Sequence, residues 1–257
     1  MKKLKQAPIK VPLWLSLLGL CLWVLISVLA VQFIVSNIMF RILGAESFKR
    51  PVWIAAYSAI TYVVAMILIL FVPLALKRKK AKKTELKDLR NDIGLNDLPT
   101  WTDIGLAPVG YIVSLILAAL LVSLFSLIFP WFNAEEAQNL GFSAYDTGVN
   151  RIIAFFTLVV IAPIAEEIIF RGFLYGKLRE RLSEKVSEKI GILIATFLTS
   201  LFFGIAHLQW NVGVNVFALS LVLCALREVT GSIYAGILTH MVKNGVAFYL
   251  LYVVGVV

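Results

Sequence analysis

Apolar residues gather in seven long blocks, at 11–40, 51–76, 105–129, 152–170, 190–208, 212–226 and 233–257, separated by short polar connections. Most approach or exceed the roughly 20 residues that a helix needs to cross the hydrocarbon core of a bilayer. The pattern predicts an all-α, polytopic transmembrane bundle of seven spans, or eight if the last block divides, around a cytoplasm-facing intramembrane cavity. The first block exceeds the usual length, which a tilted helix accommodates. Residues 95–104 carry Pro99 and Trp101 and read as an interfacial approach to the third span. Residues 171–189 are basic and mixed. They read as a helix lying along the interface or prolonging the fourth span. Thr230-Gly231-Ser232 breaks the chain before the last span. Two parts result: a two-span hairpin with a basic cytoplasmic loop over 1–105, and a helical core over 106–257.

Composition agrees with this reading. Mean hydropathy is +0.91, and 60% of residues are hydrophobic against 15% charged. The longest polar stretch is about thirty residues, well short of a soluble domain. A net charge of +9 raises the question of a nucleic-acid partner. The basic residues sit between the apolar blocks, as topology signals do, so the partner they imply is the lipid bilayer. Segments 1–10, 77–92, 171–189 and 227 hold nineteen of the 24 Lys and Arg residues. With those segments inside, the N-terminus is cytoplasmic and, over seven spans, the C-terminus is outside. The cluster 77–83 is read as a stop-transfer and orientation signal. The short loops point to a prokaryotic plasma membrane. Cys21 and Cys224 fall inside apolar blocks and read as small buried hydrophobes, not as a disulfide or a metal site. The first block is too long for the apolar part of a signal peptide.

Against this background the segment Ala162-Pro163-Ile164-Ala165-Glu166-Glu167-Ile168-Ile169-Phe170-Arg171 stands out. A charge at the bilayer centre costs roughly 2.5–3.5 kcal/mol on insertion scales, so two acids here are functional candidates. On a helix Glu167 and Arg171 are i, i+4 neighbours with the acid N-terminal, the favourable orientation for a pair. Glu166 points about 100° away. Glu166 is therefore read as the working residue and Glu167–Arg171 as its brace. Pro163 cannot donate to the carbonyl of Val159, so the helix is loosened one turn before the acids. Glu135-Glu136 serves as an internal control: no arginine stands four residues on, and the pair reads as a solvated loop.

Both histidines lie in apolar blocks. Phe203 precedes His207 by one turn, and Asn244 follows His240 by one turn, each on a common helical face. A carboxylate held away from bulk water can serve as a general base, with an imidazole sharing the water it activates. An imidazole and a carboxamide on one face can present donors to a developing oxyanion. No Ser, Thr or Cys is placed by helical spacing against either histidine, which favours direct attack by water. Two His and a Glu also form a plausible zinc set. No span shows the His-Glu-x-x-His spacing, and Asn244 would then lack a role, so a cofactor is not expected. Counted along the helices, Glu166 and His240 lie at similar depth, roughly 15 Å from Lys177 and Gly231, and His207 lies roughly 27 Å from Lys189. A tilted fifth helix or a dipping 171–189 segment would reconcile the two.

These residues resemble the CPBP family of CAAX-protease and bacteriocin-processing membrane enzymes, which includes the type II prenyl-protein endopeptidases. The family's Glu-Glu-x-x-x-Arg, Phe-x-x-x-His and His-x-x-x-Asn motifs read here as Glu166-Glu167-Ile168-Ile169-Phe170-Arg171, Phe203-Gly204-Ile205-Ala206-His207 and His240-Met241-Val242-Lys243-Asn244. The likeness covers about 152–245. It implies a glutamate-type intramembrane endopeptidase without an obligatory metal. Glu166 and His207 would activate water, His240 with Asn244 would hold the oxyanion, and Glu167, Arg171 and Phe203 would support the site. The substrate would be a peptide or protein terminus entering from the cytoplasmic side. The competing readings are a non-catalytic scaffold or bacteriocin self-immunity protein, and a proton-coupled transporter. The last lacks the inverted repeat that transporters often carry.

Overall fold

The computed structural model describes residues 11–78, 90–95, 98–136 and 148–255. Residues 1–10 and most of the basic cluster 77–83 lie outside the described residues. Among the described residues seven helices are long and apolar enough to cross a membrane: α1 (Leu13–Phe48), α2 (Pro51–Pro73, helical on to Arg78), α3 (Trp101–Ile128), α4 (Gly148–Ser183), α5 (Glu188–Ile205), α6 (Trp210–Thr230) and α7 (Tyr234–Val254). No strand occurs among the described residues. The chain is a polytopic helical bundle, and the last apolar block forms one span. Its outer surface carries Phe33, Ile42, Leu127, Leu193 and Val229 largely exposed, as a lipid-facing surface would.

Boundaries differ from the sequence reading where polar residues belong to helices. The third helix starts at Trp101, because Thr100 caps it: the Asp103 backbone N–H donates to Thr100 Oγ1 at 3.2 Å, and Thr100 N–H donates back to Asp103 Oδ2 at 2.8 Å. The interfacial approach at 95–104 is thus partly the first turn of a span. Of the alternatives for 171–189, the helix prolongs the fourth span as far as Ser183. Gly231, at φ 69°, ends α6 in the left-handed conformation that glycine adopts at little cost, as the Thr-Gly-Ser break predicts.

The fourth helix is the axis of the bundle. Ile169, Phe170, Leu174, Tyr175, Leu178 and Leu182 on it are fully or almost fully buried, with α1, α2, α5, α6 and α7 packed round it. Its hydrogen bonding widens to π geometry twice, over Phe156–Ile161 and Ile168–Tyr175. The first widening has a local cause. Pro163 supplies no N–H, and the Ala162 N–H bonds Thr157 O instead. Two connections help to position the polar residues. The turn after α5 carries His207 and passes through Leu208, a non-glycine residue at φ 56°. There α5 and α6 pack through glycines: a Cβ on Gly204 would stand 2.9 Å from Gly213 O. The segment 90–95 packs Ile93 against Gly172 of α4, and its Gly94 carbonyl accepts from the Ile233 N–H before α7. Cys21 and Cys224 are free and buried.

Candidate active site

Three helices bring their polar residues together around Glu166 and Glu167. Glu167 and Arg171 are both fully buried and 2.8 Å apart (Nη1 to Oε1), as the i, i+4 spacing predicts. The Arg171 guanidinium also lies 4.4 Å from the Phe203 ring centroid. His240, on α7, turns Nδ1 to Glu167 Oε1 at 3.2 Å and Nε2 toward Glu166 Oε2 at 3.8 Å. The first contact makes Nδ1 the donor, so Nε2 faces Glu166. The 3.8 Å gap is too long for a direct hydrogen bond and leaves both atoms within reach of one water. Of the two acids only Glu166 retains access: its side chain is 17% exposed, against 0% for Glu167. The division between a working carboxylate and a braced one is thus visible in burial as well as in spacing.

Gly236 makes this approach possible. A Cβ there would stand 2.9 Å from Glu167 Oε2. Replacing Gly236 with Ala should therefore push α7 away from Glu167, at about 1–3 kcal/mol, the usual cost of overpacking. Thermal unfolding of the purified protein in detergent would measure this, and an unchanged midpoint would count against so close a fit.

His207 lies in the turn just after α5. Its Nδ1 is 2.9 Å from Phe203 O, which can only accept, so Nε2 is again the free atom. The Phe203 ring stands edge-on to both imidazoles, with centroids 5.0 Å from His207 and 6.1 Å from His240. Among the described residues it is His240, not His207, that pairs with the acids. The depth mismatch read from the sequence has a simple resolution. Because α4 runs on to Ser183, the turn before α5 is the common reference point. Glu166 lies about 26 Å from it along α4, and His207 about 28 Å along α5. The two helices are antiparallel neighbours, so these residues come level without special tilt.

Asn244 hydrogen-bonds to the backbone of α4, two turns before Glu166. Its Nδ2 donates to Leu158 O at 2.8 Å. That carbonyl lies in the first π segment, where its donor five residues on would be Pro163. The carboxamide thus replaces a hydrogen bond that proline cannot make. Asn244→Ala should leave the Leu158 carbonyl unpaired and destabilise the fold by about 1–3 kcal/mol. An equilibrium unfolding curve that matches wild type would argue against this role.

Two further contributors escape a reading by motif and spacing. Tyr62 of α2 donates its hydroxyl to Glu166 Oε1 at 2.7 Å. The available signal was a phenol in the middle of an apolar span, since a buried hydroxyl needs a partner. Lys243, one turn beyond His240, lies within electrostatic reach of both His240 and Glu166. Its signal was a lone lysine in the last span. Glu135 and Glu136 are exposed, as the control requires. Clefts of about 310 and 430 Å³ open elsewhere, one beside Arg151 and Phe248 and one beside Asp103 and Ser232. Neither is lined by these acids or imidazoles. Among the described residues no group of three or more His, Cys, Asp or Glu is arranged to hold a metal ion.

Comparison with known families bears directly on this cluster. Residues 148–246 match the family model described as type II CAAX prenyl endopeptidase Rce1-like. That stretch holds all three motifs, and the match agrees with the CPBP resemblance they carry. It supports CAAX-type intramembrane protease activity at the level of the family. No curated protein and no solved structure matches the chain. Helices α1 and α2, including Tyr62, lie outside the matched segment.

Proposed function

We propose that the chain is an intramembrane endopeptidase that hydrolyses a peptide bond near the terminus of a membrane-associated peptide or protein by direct attack of water. The observation that carries this is the Glu166 Oε2–His240 Nε2 gap of 3.8 Å, beside the accessible acid of a fully braced pair. Glu166 takes a proton from the water as its oxygen bonds to the scissile carbonyl carbon. The C–N bond then breaks, and the same proton passes from Glu166 to the departing amine. His240 Nε2 touches the same water, and Glu167 holds the ring in place through Nδ1. The motif resemblance assigns water activation to Glu166 and His207; the distances favour His240 as the nearer imidazole. His207 Nε2 and the second Asn244 amide hydrogen remain for the carbonyl oxygen and the substrate chain. The substrate reaches this point from the cytoplasmic face of a plasma membrane, with the N-terminus of the protein on the same side.

The family description suggests the probe: an internally quenched peptide ending in a prenylated cysteine, two aliphatic residues and one terminal residue. The purified protein in proteoliposomes should release the terminal tripeptide, identified by mass spectrometry. Added hydroxylamine should yield no hydroxamate, because no acyl-enzyme forms. Absence of tripeptide release, or capture of a hydroxamate, would overturn the reading.

A further inference from the structure

We infer that Tyr62, on the hairpin outside the family-matched segment, is a positioning residue that fixes which oxygen of Glu166 meets the water. The inference rests on the peptidase reading. Glu166 is a long side chain with a partly open carboxylate, and the nearby Arg171 is engaged by Glu167. Unrestrained, its two oxygens would exchange places about the terminal torsion, which has a broad two-fold profile. Tyr62 removes that freedom. Its hydroxyl is 2.7 Å from Oε1, the short distance typical of an O–H donor on a carboxylate. With Oε1 occupied, Oε2 is the oxygen turned to His240 Nε2.

The two acids are thus held by separate means. Glu167 is held by Arg171 and His240 from within the matched segment. Glu166 is held by a phenol delivered from 104 residues earlier in the chain. A phenol suits the task because it donates one hydrogen bond without adding a charge that would compete with the substrate for the carboxylate. Helix α2 packs against α4 along this stretch, so the hairpin contributes to the site as well as to the lipid-facing surface.

The test is Tyr62→Phe, which removes the hydroxyl and keeps the ring. Two measurements separate the inference from the peptidase reading. The first is cleavage of the quenched prenyl peptide: kcat should fall about 10- to 100-fold while KM stays within about twofold, since orientation of the base matters to the transition state and not to binding. The second is the rate at which dicyclohexylcarbodiimide modifies Glu166, followed by peptide mass mapping. It needs no substrate. Freed of its donor, Glu166 should react at least about threefold faster in the variant, because the oxygen that Tyr62 no longer occupies is open to the reagent. Unchanged kcat with unchanged labelling would overturn the inference. So would a kcat loss accounted for wholly by a smaller folded fraction. Faster labelling in a protein whose wild type cleaves no peptide would instead sink the peptidase reading and leave the Tyr62 contact standing.

Discussion

Replacing Glu166 with Gln is expected to lower kcat on the quenched prenyl peptide by about 100- to 10,000-fold, the range general-base catalysis contributes. Folding and KM should stay near wild type. The carboxamide has the same shape, and its oxygen can still accept from Tyr62. What it cannot do is take a proton from water. Glu166 is only partly buried, and among the described residues no Lys or Arg forms an ion pair with it, so losing its charge breaks no such pair in the core. A loss in kcat with little change in KM is the signature of a group that acts only in the transition state. Glu135→Gln, made in the exposed loop, should cleave as wild type does. If Glu166→Gln kept a tenth or more of the wild-type turnover, the base would have to be sought elsewhere, and a scaffold role would become the better account.

Replacing Arg171 with Met should be the most damaging change to the fold. Arg171 is fully buried, pairs with Glu167 at 2.8 Å and lies over Phe203. Removing it strands a carboxylate in a fully buried site beside His240. Breaking one side of a buried pair costs about 3–5 kcal/mol. The double variant Arg171→Met with Glu167→Gln removes both charges, and should recover part of that loss. Chemical unfolding of the four proteins in detergent forms a double-mutant cycle, and the coupling should exceed about 1 kcal/mol. Additive effects would mean that the pair contributes little as a pair. Retained stability in the double variant with lost turnover would fit the expected division of labour, because His240 would then lack the ionised acceptor on Nδ1.

Much of this site is legible from spacing alone. The i, i+4 relation of Glu167 and Arg171, and its consequence for Glu166, come from helix geometry that holds whatever packs around it. Pro163 is the same kind of signal: a residue without an N–H must disturb its own helix, and the π segment at Phe156–Ile161 lies where that disturbance falls. Asn244 shows the limit. Its place one turn after His240 is readable, but the bond that one of its amide hydrogens makes to Leu158 O is not, because the bond that Pro163 fails to make lies on a different helix. The depth of His207 relative to the acids is not readable, because a mixed polar segment does not fix how far α4 runs beyond Arg171.

The sequence by itself determined the seven helical spans, the acidic pair with its brace, the two imidazoles and the motifs that lie in the family-matched segment 148–246. Each of these depends on the length of an apolar run or on neighbours within one or two helical turns. Only the tertiary structure decided that His240 stands between the two glutamates, that Phe203 packs against both imidazoles, and that Tyr62 reaches Glu166. Those contacts depend on how whole helices turn and slide against one another. Apolar side chains of similar size permit many such registers in the sequence, and close approaches such as Gly236 against Glu167 select one of them.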